Sequence, residues 1–191
     1  VDVTITTEKA QRTSMQLTSE QTLQETKKGF ETYLKTLSQP VDLLTRKNEI
    51  KHMEDQGDIN TNITAIQDSL CASVKVTSGA ERAFFTTNNK TTETGVNDTS
   101  KNWYSESIGL ESRSGIFAYI SEPYTDEQTG NTIFTVSQEI KYTDGQNYGV
   151  VGMDIDFSEL TDYVQNIGLL NTGYVLLVNG NGDILVDNEK N

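Results

Sequence analysis

Phe30, Tyr33, Leu34, Leu37, Val41 and Leu44 recur at three- and four-residue spacing, which places them on one stripe of a helix. Residues 8–55 contain one glycine, Gly29, and one proline, Pro40, so the spacing predicts a single long helix over about 8–50. Pro40 is expected to kink that helix or to end a first segment of it. The stretch before Phe30 is helical in character but has a weak apolar face, as a stalk or a partner helix would. A second, shorter helix is expected over 60–70, starting near Asn60 or Thr61.

From about residue 72 the period changes. "ASVKV", "RAFFTT", "IFAYISEPY", "NTIFTVSQEIKY" and "YGVVGMDIDF" read as strands separated by glycine or Asn/Asp-rich turns. "IFTVSQEI" alternates, so one sheet face is expected to be buried and the other wet or ligand-facing. "FSELTDYVQNIGLL" follows as a helix capped by Ser158, and "TGYVLLVNGNGDILVD" as a hairpin around an Asn-Gly turn. The same hairpin fails as an EF-hand calcium loop, because Ile184 and Lys190 occupy the positions that need glycine and a bidentate acid. The expected class is α+β: a long N-terminal helix packed on a mainly antiparallel sheet.

Composition narrows the function. The 191 residues suit one domain and part of another, and 34% apolar content with a mean hydropathy of −0.53 is that of a soluble globular chain. With 15 basic and 28 acidic residues the formal charge is −13, a field that repels nucleic acid. A lone Cys71 and a lone His52, the latter read as a helix-surface residue, exclude an intrachain disulfide, cysteine zinc sites and most histidine-based triads. No catalytic residue, metal or cofactor is therefore expected. The sequons at Asn62, Asn89 and Asn97 read as chance matches in an Asn- and Thr-rich chain. With no signal peptide and no apolar run long enough to span a bilayer, the chain reads as an excised soluble piece of something larger.

"KNWYSESIGL", residues 101–110, places the only tryptophan in a polar, loop-like stretch. Together with "ISEPYTDEQTGNTIFTVSQEI" and "GVVGMDIDFSEL", it makes the sequence resemble the double Cache family over about residues 20–191. These are extracytoplasmic, PAS-like sensor domains of bacterial chemoreceptors and sensor histidine kinases. The resemblance implies a long N-terminal helix over 1–55, a membrane-distal PAS-like module over 56–168, and the start of a membrane-proximal module over 169–191. It also implies a membrane-tethered receptor sensing outside the cytoplasm. The isolated domain is expected to be monomeric or weakly dimeric, with dimerisation through the thin stripe of the N-terminal helix once tethered.

The resemblance also carries over a ligand site. Lys101, Trp103 and Tyr104 fall where family members that bind amino acids hold the ligand carboxylate. Lysine stands where arginine is commoner, and Val96 where the pattern has tyrosine. Tyr124, Asp126 and Asp154 fall where the ammonium is held. Two carboxylates and a phenol satisfy its N–H donors, and the ring faces add cation–π attraction. The implied ligand is an amino acid or amine.

Each residue also has a plainer role: Trp103 and Tyr104 as plugs between the sheet and the long helix, Asp126 as a turn residue, Lys101 as a solvated charge. Asp154 interrupts a buried-looking strand and needs a partner there. Three other functions compete: the sensor of a histidine kinase with a different ligand, a hydrolase using Asp154 and Asp156 with Asp126, and a dimerisation or adhesion domain.

Overall fold

A computed structural model describes residues 2–51, 59–87, 91–93, 102–111, 115–141, 145–168 and 174–188. Helix α1 spans Asp2–Thr45 and runs through Pro40 without ending there, so of the two expected effects of Pro40 termination does not occur. Proline has no N–H to give the carbonyl of Thr36, a local loss that packing offsets, since Leu37, Val41 and Leu44 beside it are buried. Burial of such side chains contributes about 1.5–3 kcal/mol each. Threonines on the exposed flank satisfy their hydroxyls by back-bonding one turn: Thr22 to Thr18, Thr26 to Thr22 and Thr36 to Thr32. Toward the N-terminus the apolar stripe thins, and Met15, Leu17 and Leu23 stand exposed.

A one-turn helix α2 (Asn48–Lys51) and helix α3 (Ile59–Val76) follow. The shorter helix thus lies where expected but extends further, and "ASVKV" is its last turn, not a strand. Val74 packs on the core from that turn, and this burial outweighs the β preference of the valines. His52 lies outside the described residues.

The strands are β1 (Ala80–Thr87), β2 (Thr91–Glu93), β3 (Tyr119–Ile120), β4 (Tyr124–Thr125), β5 (Thr132–Lys141) and β6 (Asn147–Asp156). They form one antiparallel sheet in the order β2-β1-β6-β5-β3, with β4 also paired to β5. A further hairpin joins β7 (Leu176–Val178) to β8 (Ile184–Asp187), as expected from the Asn-Gly turn. In that turn Asn179 accepts the N–H groups of Asn181 and Asp183 on its own side chain.

The core lies between one face of the sheet and helices α1 and α3. Ala83, Phe85, Phe134, Val136, Val151, Met153 and Ile155 point toward it, alternating along their strands. On the opposite face the wet alternative does not hold. Thr135 and Ser137 on β5 are polar yet fully buried, because helix α4 (Asn102–Ser107) and the β3–β4 segment cover them.

Helix α5 (Ser158–Gln165) follows β6. Its N-terminal cap is the carboxylate of Asp156, which accepts the Ser158 N–H at 2.7 Å; Ser158 is the first helical residue and makes no cap itself. Tyr163 of α5 stacks on Tyr33 of α1 with ring centroids 3.8 Å apart, and the Tyr33 hydroxyl donates to the Glu159 carbonyl at 2.9 Å.

Candidate functional site

The covered face of the sheet is built in rows by strand register, since directly opposed residues point to the same side. One row runs Phe84, Gly152, Ser137, Tyr119 across β1, β6, β5 and β3. Over it sits α4, whose Trp103 and Ser107 lie one turn apart and are both buried. The Ser107 hydroxyl shares a 2.6 Å hydrogen bond with that of Ser137, and Ser137 also reaches the Trp103 carbonyl at 3.3 Å. Two serines thus fasten a short polar helix to the sheet and aim its tryptophan inward. The indole packs against Phe84 at a 4.5 Å centroid separation and against Tyr104 at 6.0 Å.

This cluster has no spare volume. A Cβ on Gly152 would overlap the Phe84 ring lying across it. Gly152→Val is therefore expected to push Phe84 into Trp103, costing about 1–3 kcal/mol of stability. Trp103 is the only tryptophan, so a shifted emission spectrum with a lowered urea midpoint checks this directly. An unchanged spectrum would show that the ring moves elsewhere at no cost.

The neighbouring row holds the charges. Arg82 of β1 lies opposite Asp154 of β6, which lies opposite Thr135 of β5. Arg82 Nε donates to Asp154 Oδ2 at 2.6 Å, and the Thr135 hydroxyl donates to Asp154 Oδ1, also at 2.6 Å. Asp126, in the turn after β4, joins from the side: its Oδ1 accepts from Arg82 at 3.1 Å. The same carboxylate accepts the Thr129 N–H and hydroxyl at 3.2 and 2.8 Å, so it also holds its own turn. The plain reading of Asp126 as a turn residue thus applies, with Arg82 as its added partner.

Burial and pairing act differently on the two acids. Asp154 is 1% exposed, and its burial raises the carboxyl above the usual range despite Thr135 and Arg82. At Asp126 burial also pushes upward, but hydrogen bonds from Thr129 and Arg82 outweigh it and hold the carboxyl below that range. Tyr124 bridges to this row. Its hydroxyl is 2.7 Å from that of Thr135 and 3.4 Å from Asp154 Oδ1. Burial and the Asp154 charge push its phenol up to about 12, so it stays a neutral donor at physiological pH.

Beside this network opens a cleft of about 540 Å³ lined by Trp103, Tyr119, Ser121, Glu122 and Tyr124, a size suited to a small molecule. A larger groove of about 720 Å³ lies between α1 and α3, on the other side of the sheet. Of the six residues singled out in the sequence, Trp103 and Tyr124 line the cleft. Asp126 and Asp154 meet at Arg82, joined to the cleft through Tyr124, while Tyr104 backs the tryptophan. Lys101 and Val96 lie outside the described residues. Trp103 and Tyr104 do not plug the sheet against α1, because α4 covers the opposite face.

Arg82 is the member that sequence reading missed. Its one signal was indirect: Asp154 demanded a buried partner, and Arg82 is a cation inside the apolar run "AERAFF". The acids named for a hydrolase are otherwise engaged: Asp126 and Asp154 share a guanidinium and Asp156 caps a helix, and no group of three or more His, Cys, Asp or Glu among the described residues is placed to hold a metal ion.

Comparison with known proteins bears on the fold and the family. The chain is 31% identical over 87 residues to the methyl-accepting chemotaxis protein TlpB of Bacillus subtilis, a match covering 46% of this chain and 12% of TlpB. Its fold is similar to the ligand-binding domain of the Campylobacter jejuni chemoreceptor Tlp3, solved with 4-methylisoleucine, at a TM-score of 0.68 and 18% identity. That likeness covers 87% of this chain and 66% of the Tlp3 domain. The ligand-binding domain of the Pseudomonas fluorescens chemoreceptor CtaA, solved with L-leucine, is similar at a TM-score of 0.60 and 20% identity, over 82% of this chain and 63% of that one. This chain therefore spans about two thirds of those domains and about an eighth of the curated relative. The dCache_1 family model, described as a Cache domain, matches residues 5–191, and with nearly every residue accounted for the chain belongs to the Cache domain family.

Proposed function

We propose that this chain is the extracytoplasmic ligand-sensing domain of a transmembrane methyl-accepting chemoreceptor, and that it takes an amino acid or other small amine. The observation that carries the reading is the aromatic cleft of Trp103 and Tyr124 leading, through the Tyr124 hydroxyl, to buried Asp154 and, across Arg82, to buried Asp126. Its structural relatives Tlp3 and CtaA were solved with 4-methylisoleucine and L-leucine, which favours the same ligand class. In this reading Asp126, Asp154 and Tyr124 receive the ammonium, and Lys101, Trp103 and Tyr104 the carboxylate end.

The proposed organisation assigns residues 1–55 to a stalk helix, 56–168 to the distal module and 169–191 to the start of a proximal one. No helix among the described residues is long and apolar enough to cross a membrane, so tethering is assigned to other parts of the receptor. Dimerisation is assigned to α1 under that tethering. The mechanism is a difference in ligand affinity between two arrangements of the long helix, without bond-making chemistry.

A thermal-shift screen of amino acids, amines and small carboxylates tests the reading, because a ligand selective for the folded state raises its stability. Asp154→Ala is expected to weaken the best hit by about 30-fold or more, the cost of removing one partner of a buried charge pair. N-acetylation of the hit should do the same, and esterification should expose the contribution of Lys101. If both derivatives bind as the parent does, and Asp154→Ala as wild type does, the assignment fails.

A further inference from the structure

The two aspartates assigned to a ligand ammonium already hold a cation. Besides its bond to Asp154, the Arg82 guanidinium spreads both terminal nitrogens over Asp126, at 3.1 Å to Oδ1 and 3.4 Å to Oδ2, and also touches Gln128 Oε1 at 3.3 Å. The other acceptor positions are taken as well. Asp154 Oδ1 serves Thr135 and Tyr124, and Asp126 serves the turn N–H groups of Gln128 and Thr129 and the Thr129 hydroxyl. An ammonium arriving from the cleft finds each carboxylate oxygen occupied, and the one occupant that shares its charge is Arg82.

The three charged groups are not equally free to leave. The Arg82 side chain retains 16% of its exposure, against 5% for Asp126 and 1% for Asp154. Arginine is long, and its guanidinium is weakly hydrated and keeps its charge on reaching solvent. The carboxylates are fixed by strand β6 and by the turn after β4. Cation exchange leaves their balance intact, whereas departure of either acid would strand a buried charge.

We propose that Arg82 is a tethered stand-in for the ligand's cation: it fills the amine half-site of the pocket, and ligand binding exchanges the guanidinium for the ligand's ammonium. The proposal rests on the amine-sensing function argued above and adds the competitor built into the chain. Because the competitor is tethered, its effective concentration is high, and only a ligand gaining further contacts in the aromatic cleft displaces it. The exchange also has a mechanical result. Arg82 and the Asn131–Glu81 hydrogen bond at 2.7 Å both tie strand β1 to the turn at 126–131, so release of Arg82 loosens that junction and gives it a second state for a ligand to favour.

The test needs no knowledge of the natural ligand. Arg82→Gln removes the charge, and the ligand-free variant is expected to melt below wild type by several degrees. Millimolar methylguanidinium or methylammonium chloride should restore its melting temperature, sodium chloride at equal ionic strength should not, and wild type should respond to neither. The restoration should vanish in the Arg82→Gln, Asp154→Asn double variant. Arg82→Lys keeps a charge but cannot fork across two carboxylates, so it should bind an amine hit from the screen about tenfold more tightly than wild type. This second arm decides the matter should Arg82→Gln not fold. An Arg82→Gln protein blind to both cations, or an Arg82→Lys protein binding equally or more weakly, overturns the exchange. If wild type binds amines through Asp154 and these arms still fail, the sensing function survives and the exchange alone is lost. Restoration by methylguanidinium with no amine hit would instead keep the cation site and sink the amine-sensing function.

Discussion

Asp126→Ala should lower stability by about 3 kcal/mol near neutral pH, the low end of the cost of breaking a buried ion pair because Arg82 keeps some contact with water. The substitution removes half of the guanidinium's pairing and leaves the N–H groups of Gln128 and Thr129 without their carboxylate. Its pH signature is specific. The folded Asp126 carboxyl lies below the ordinary range, so its contribution is complete above the unfolded carboxylate value and is lost as pH falls through the folded one. Asp154 has the opposite sign: its raised carboxyl favours the fold at low pH, and that contribution is lost as pH rises through its folded value. Urea titrations from neutral to acid pH should therefore show a shallower acid limb in Asp126→Ala than in wild type. An unchanged limb, with an unchanged midpoint at neutrality, would mean the ion pair contributes nothing to the fold.

Phe134→Ala should cost about 3–5 kcal/mol, the usual loss for emptying a large aromatic site in a core. Phe134 is 1% exposed and belongs to the cluster in which β5 and β6 meet Leu37, Val41 and Leu44 of α1. Neighbours on both sides are anchored, by strand pairing on one and helix hydrogen bonds on the other, so the cavity cannot collapse far. Its chain neighbour Thr135 points to the opposite face and the charged row. The expected result is a large fall in the urea midpoint with little change in the emission of native Trp103, because the two faces are separated by the sheet. A fall below about 1 kcal/mol would show that α1 shifts to fill the space.

The long helix, the switch to strands and the closing hairpin were legible because period is a local property. The stripe from Phe30 to Leu44 states which face of α1 is covered without naming what covers it. Local readings failed where a long-range contact outbid them. "ASVKV" carries strand-forming valines yet completes α3, since Val74 is worth more against the core than in a strand. For the polar face of "IFTVSQEI", expected to be wet or ligand-facing, the wet alternative failed at Thr135 and Ser137, because nothing in an alternating pattern announces a third layer above the sheet. Ser158 offered a plausible cap, but it is the first helical residue, and Asp156, two residues earlier, carries a full charge and accepts the Ser158 N–H.

The candidate site divides along the same line. Trp103, Tyr124, Asp126 and Asp154 were named from the sequence, through the resemblance of their surrounding segments and, for Asp154, through the misfit of a charge in an apolar strand. That misfit establishes, from one stretch of chain, that a buried acid must find a counter-charge. Which residue supplies it depends on strand register, which sets Arg82 across from Asp154 at a separation of 72 residues, and on a turn that swings Asp126 to the same guanidinium from 44 residues away. Pattern and composition determined the elements and the need for a partner, because propensity, period and desolvation act within a few neighbouring residues. The partner itself, Arg82, shared by both acids, was decided by tertiary structure, because only the paired sheet brings those distant charges within hydrogen-bonding reach.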